Sequence, residues 1–114
     1  MKLIYEKPDG TSVNVRLMPR NHAQAVTIGR GKDATVMLDD PKASRIHTAI
    51  RYWDDIFIVR DMGSSNGTIL NGEKIEVARL NPGDVIKIGD TTINSASEPN
   101  RSDVTVVKSQ GEKD

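Results

Sequence analysis

The chain has 114 residues, no cysteine, and 16 basic against 16 acidic side chains, so its formal net charge is zero. Disulfides, thiolate metal sites and cysteine nucleophiles are excluded, and so is the broad basic surface that nucleic acid or an anionic membrane selects. With one Trp, one Phe and two Tyr, the core of a single domain of this size must rest on Ile, Val and Leu, and β-branched residues favour strands.

In chain order, residues 2–6 and 13–18 read as strands joined through Pro8-Asp9-Gly10, where proline pre-sets φ and glycine permits the turn. Strands are expected at 25–29 and 35–38, then at 48–53 and 56–60 around Asp54-Asp55, as a hairpin. Residues 68–70 and 73–77 flank Asn71-Gly72. Asn-Gly between apolar runs is the strongest short hairpin signal, because a type I′ turn needs positive φ twice. After the breaker Asn81-Pro82-Gly83, strands at 84–89 and 91–93 close the pattern. No window keeps helical apolar spacing beyond a turn or two. The expectation is an all-β fold, an antiparallel sandwich or barrel of about ten to eleven short strands.

Residues 1–94 are expected to form this domain. From Ser95 the composition turns polar and rich in breakers, so 95–114 is expected to be a flexible polar tail or linker stub. Its one apolar island is Val104-Thr105-Val106-Val107. The opening Met1-Lys2-Leu3-Ile4-Tyr5-Glu6 lacks the apolar run of a signal peptide, and nothing approaches the ~20 apolar residues of a membrane helix. A soluble, cytoplasmic protein is the expectation.

Between the expected strands sit Gly29-Arg30, Ser44-Arg45-Ile46-His47, Ser64-Ser65-Asn66-Gly67-Thr68 and Asn71-Gly72. Small hydroxyls and two arginines in loops suit an anion. A phosphomonoester presents nearly two negative charges and three acceptor oxygens. Arg30 brings a planar fork able to hold two oxygens at once. Ser44 and Ser65 are short neutral donors, and Arg45 adds a donor through side chain or main chain. Asn66 offers a donor and an acceptor, matching the C=O and N–H of an extended peptide. Taken singly, Arg30 reads better as a solvated arginine after a strand; the ordered set reverses that reading.

These motifs, in this order, closely resemble the forkhead-associated (FHA) domain over about residues 3–94, with Asn81-Pro82-Gly83-Asp84 resembling its late turn. The resemblance implies a β-sandwich of the FHA/SMAD-like kind with binding loops at one end. It implies recognition of phosphothreonine in a protein or peptide partner, a serine/threonine kinase substrate. Arg30, Ser44, Arg45 and Ser65 would contact the phosphate, and Asn66 the ligand backbone. The family prefers phosphothreonine to phosphoserine through a small cavity for the extra methyl group. Lys42 and, more weakly, Lys32 are candidate readers of an acidic ligand side chain, or equally idle surface lysines. Gly29, Gly67 and Gly72 are assigned to backbone geometry, Thr68 and Asn71 to loop support. The family's histidine is structural, which assigns His47 to bracing the loops. A monomer without cofactor or metal is expected.

Two other function classes are weighed. A phospho-independent scaffold would be favoured by loss of the phosphate contacts, and all are present. A hydrolase would use Ser44 and His47, but a triad also needs an acid and an oxyanion hole, and no nucleophile elbow exists. Gly29-Arg30-Gly31-Lys32 lacks the Ser or Thr that follows Lys in a nucleotide loop. Asn66-Gly67-Thr68 is a glycosylation sequon in form only. Asp33, Asp39, Asp40, Asp54 and Asp55 fit no calcium-loop spacing, which favours turn and solvated-face roles. Thr105, if phosphorylated, is a candidate occupant of the domain's own pocket or a neighbour's. Four charged hydrogen bonds at about 1.5–3 kcal/mol each, less the ordering of a flexible peptide, lead to an affinity around micromolar.

Overall fold

The computed structural model describes residues 1–20 and 24–98. Among them the backbone forms β1 (Lys2–Glu6), β2 (Ser12–Arg16), β3 (Val26–Gly29), β4 (Val36–Met37), β5 (Thr48–Trp53), β6 (Ile56–Asp61), β7 (Thr68–Leu70), β8 (Glu73–Ile75), β9 (Val77–Leu80), β10 (Val85–Ile88) and β11 (Thr91–Ala96). They make two sheets, one ordered β2-β1-β11-β10-β7-β8 and one ordered β4-β3-β5-β6-β9. The alternation that predicts strands also selects the faces: Leu3, Ile86, Ile88 and Ile93 from the first sheet meet Ile28, Ile50, Val59 and Leu80 from the second. Each such fully buried side chain contributes about 1.5–3 kcal/mol. The all-β sandwich expected from the strand pattern is what the chain adopts. Among the described residues no helix is long and apolar enough to cross a membrane.

Turn chemistry sets the register. Asp54 and Asp55 take φ of 53° and 67°, and Asn71 and Gly72 take 51° and 87°. Both pairs are therefore left-handed two-residue turns whose twist matches the flanking strands. Asn71 also binds across to the next turn: its Nδ2 donates to Asp84 Oδ1 at 3.0 Å and its Oδ1 accepts from Val85 N at 2.9 Å.

Three details differ from the expectation. The run 73–77 is two strands in different sheets. Ile75 pairs with Thr68 in the first sheet, and Val77 pairs with Arg60 in the second. Between them the Glu76 carbonyl accepts from Asp61 N at 2.8 Å. Nothing in the apolar alternation marks that handover, because both strands bury one face. Second, β4 pairs with β3 in parallel, so the sandwich is not wholly antiparallel. Third, the boundary expected at residue 94 falls inside β11. Leu3 pairs with Ser95 and Lys2 with Ala96. Ser95 is buried without penalty because its hydroxyl meets the carbonyls of Asn81 at 2.9 Å and Asp84 at 2.8 Å. Residues 99–114, including Thr105, lie outside the described part.

Candidate functional site

Three loops gather at one end of the sandwich: the β3–β4 loop after Gly29, the β4–β5 loop before Thr48, and the β6–β7 loop before Thr68. The first two are stitched by backbone. Arg30 N donates to Ser44 O at 2.9 Å, and Gly31 N to Arg45 O at 3.0 Å. This approach explains Gly29, which does not have a left-handed φ. A Cβ there would lie 2.0 Å from the Arg45 carbonyl oxygen, so only a hydrogen fits. At Gly29 the backbone constraint is close approach and not a turn. Gly67 does turn, with φ 87°.

His47 joins the second and third loops. It is fully buried, its Nδ1 accepts from Ser44 N at 3.0 Å, and its Nε2 lies 2.8 Å from Gly67 O. An acceptor at Nδ1 requires the hydrogen on Nε2, so the neutral imidazole is a fixed two-ended strut. The Ser65 N–H then donates to Ser44 Oγ at 3.1 Å, and Asn66 Nδ2 to Lys42 O at 2.8 Å. Arg30 Nε donates to Ala43 O at 2.9 Å. The structure thus brings Arg30, Ser44, Ser65 and Asn66 to one rim, each anchored by a bond that leaves other groups open.

That division runs through the whole site. Among the described residues, the Arg30 Nη groups, the Arg45 guanidinium and the Ser65 hydroxyl have no hydrogen-bond partner, and Ser44 Oγ serves only as an acceptor. Arg30, Arg45, Ser65 and Asn66 are exposed. The supporting residues are the reverse, with both His47 nitrogens and the Thr68 hydroxyl committed inside the fold. Four donors with no nearby carboxylate partner form a place where an anion would be welcomed.

Lys42 and Lys32 differ. Lys42 Nζ pairs with Asp90 at 3.2 Å across the surface, beside a hollow of about 420 Å³ that Asn66 and Lys87 also line. Lys32 is exposed and has no partner among the described residues. Arg30 lines a second groove of about 760 Å³ with Tyr5, Lys7 and Asp39. Asn71, expected as a loop support, sits at the far end of β7 from Thr68, where its side chain braces the β9–β10 turn, and Gly72 beside it supplies the second left-handed φ of its own turn.

Two carboxylates organise these loops: Asp61, which the sequence reading missed, and Asp40, which it gave only a turn or solvated-face role. Asp61 accepts from Gly63 N and Ser64 N at 3.1 Å, from Ser64 Oγ at 2.5 Å and from Thr68 Oγ1 at 2.8 Å. Ser64 Oγ in turn accepts from Gly67 N at 2.8 Å, which leaves Ser65 as the serine facing outward. Asp40, buried, accepts from Lys42 N at 2.9 Å, Asp90 N at 2.8 Å and Thr91 Oγ1 at 2.7 Å, clamping the β4–β5 loop to the β10–β11 turn. The readable signal was local: in Asp40-Pro41-Lys42 and Asp61-Met62-Gly63 the carboxylate accepts from the backbone N–H two residues on, the Asx-turn arrangement.

Burial alone would raise both acids, but the donors outweigh it. The Thr91 hydroxyl and the Lys42 and Asp90 amides hold Asp40 below the ordinary carboxylate value, and the Ser64 and Thr68 hydroxyls do so for Asp61. A lowered folded-state pKa means stability that is present above the unfolded value of about 3.9 and lost as pH falls through the folded value. Urea midpoints are therefore expected to drop steeply below about pH 4, and Asp40→Asn should flatten that acid limb while lowering stability at neutral pH. An acid limb identical to wild type in Asp40→Asn would contradict the clamp.

The family model for the FHA domain matches residues 26–89. FhaA of Mycobacterium tuberculosis, an FHA domain-containing protein, is 39% identical over 66 residues, covering 58% of this chain and 12% of FhaA. The glycogen accumulation regulator GarA of the same species is 43% identical over 67 residues, covering 58% of this chain and 41% of GarA. This chain spans less than half the length of either relative. A solved structure from work on phosphothreonine-dependent FHA domain interactions aligns at TM-score 0.69 and 29% identity, over 88% of this chain and 100% of that one. With the family model covering more than half of its residues, this chain belongs to the FHA domain family.

Proposed function

We propose that this domain recognises phosphothreonine in a partner protein, a serine/threonine kinase substrate, and performs no chemistry on it. Arg30, Ser44, Arg45 and Ser65 take the phosphate, and the open Oδ1 of Asn66 takes a ligand backbone N–H. One observation carries the reading: the Arg30 Nη groups, the Arg45 guanidinium and the Ser65 hydroxyl are left open on exposed residues and Ser44 Oγ has its proton free to donate, while His47 beneath them has both nitrogens bonded. The similarity to an FHA structure from phosphothreonine-dependent interaction work supports it. In this reading the recognition domain, expected to end at residue 94, runs through the end of β11 at Ala96, Lys42 exchanges Asp90 for an acidic ligand side chain, and the setting is the cytoplasm, where kinases and their nucleoside triphosphate are found.

The hydrolase alternative has no geometric support. His47 engages the Ser44 backbone N–H and not its hydroxyl, and is closed off from solvent. A general base must reach the proton it removes.

Calorimetry with a phosphothreonine peptide, its unphosphorylated form and a glutamate analogue tests the proposal. Dissociation constants on the order of micromolar are expected for the phosphopeptide alone. Glutamate carries one charge on a planar group and should bind at least about tenfold more weakly. Equal affinity for the unphosphorylated peptide would favour the scaffold reading instead.

A further inference from the structure

The outward face of the five-stranded sheet is a second surface, made of other residues than the phosphate rim. Strand register places Ile58 between Arg51 on β5 and Arg79 on β9, and Arg60 between Ala49 and Val77. Arg51, Arg60 and Arg79 are all exposed and none has an ion-pair partner among the described residues. Val77 is 51% and Met62 is 45% exposed, unusual for apolar side chains that decorate a sheet. A groove of about 470 Å³ crosses this face, lined by Ala49, Arg51, Ile58, Arg60 and Met62 among others.

Two features of this face point to a protein partner. The outward positions of β5, β6 and β9 hold Arg, Ile, Val, Ala and Trp, and neither Lys, Asp nor Glu. Enrichment in Arg and large apolar residues with depletion of Lys and acids is the composition of interface centres. The charge is also lopsided: the chain sums to zero, yet the outward positions of β5, β6 and β9 carry three guanidiniums and no carboxylate. A complementary partner must be acidic.

We propose that this face docks an acidic amphipathic helix of a protein partner, independently of phosphorylation. Two strand spacings of about 4.8 Å separate the β5 and β9 rows, close to the roughly 10 Å diameter of a helix. A helix lying along β6 rests its apolar stripe on Ile56 and Ile58, with carboxylates on one flank meeting Arg51 and on the other Arg79. Guanidiniums held on a rigid sheet favour such discrete carboxylates. An anionic bilayer attracts through the field of the whole molecule, which has no net charge here.

The test uses the full chain, isotope-labelled for NMR, and a synthetic helix with glutamate on one face and leucine on the other. The Glu/Leu helix is expected to shift the amides of Arg51, Ile58, Arg60 and Arg79, to remain bound when phosphothreonine peptide is added, and to lose its binding when its glutamates are replaced by lysines. The charge-reversed variant R51E/R60E/R79E should weaken the Glu/Leu helix by about tenfold or more while its phosphothreonine-peptide affinity stays at the wild-type value, which also reports that it is folded. Shifts confined to Arg30, Ser44 and Ser65, displacement by phosphothreonine peptide, equal binding of the lysine version, or no binding at all would each overturn the proposal. So would co-sedimentation with phosphatidylglycerol vesicles, through these same arginines, by a protein that leaves the Glu/Leu helix unbound.

Discussion

Arg30→Ala is expected to weaken phosphopeptide binding by at least about a hundredfold, because two charge-assisted bonds at about 1.5–3 kcal/mol each disappear together. The side chain sits on the rim with its Nη groups unpaired, and only its Nε is tied, to Ala43 O. Its removal therefore takes away one partly buried hydrogen bond from the fold, about 0.5–1.5 kcal/mol. Thermal unfolding should shift by a few degrees at most for a domain of this size. Arg30→Lys keeps the charge and loses the fork, so an intermediate loss is expected. Calorimetry gives the affinity and a melting curve the fold. Undiminished affinity in Arg30→Ala would remove this residue from the phosphate site.

His47→Ala should behave in the opposite way, with the larger effect on stability. The imidazole is completely buried, and both its nitrogens hold backbone groups: the Ser44 N–H and the Gly67 carbonyl. Truncation leaves a cavity and two unpaired polar groups, together about 3–5 kcal/mol. Against a usual stability of about 5–15 kcal/mol, that is a large fraction of the total. Binding should fall as well, since Ser44 and the Ser65 loop lose their common strut. Urea unfolding measures the first effect. A stability loss under about 1 kcal/mol would mean that the loops are held by other contacts. The two substitutions together separate a residue that meets ligand from one that positions such residues.

Sequence spacing exposed most of the hairpins for a local reason. Asp54-Asp55 and Asn71-Gly72 adopt left-handed φ by their own chemistry, and the alternating residues beside them need only a core to face. The phosphate-site candidates were also visible, because Arg30, Ser44, Ser65 and Asn66 lie in short motifs whose side chains suit an anion and a peptide backbone. Asp40 and Asp61 were not visible in the same way. Their donors include Asp90 and Thr91, about fifty residues from Asp40, and the Thr68 hydroxyl across a loop from Asp61. No local pattern announces such partners.

From its residues alone the chain determined alternation, turns and a supply of phosphate-friendly donors, because these depend on neighbours in sequence. Tertiary structure decided which donors stay open. Ser64 and Ser65 are adjacent and chemically identical, yet Ser64 is consumed by Asp61 and Gly67 while Ser65 faces outward. The same holds for the change of sheet at Glu76 and for the row of Arg51, Ile58 and Arg79, which three separate strands assemble. Each depends on which segments meet across the sandwich, and that is settled by burial of the whole core.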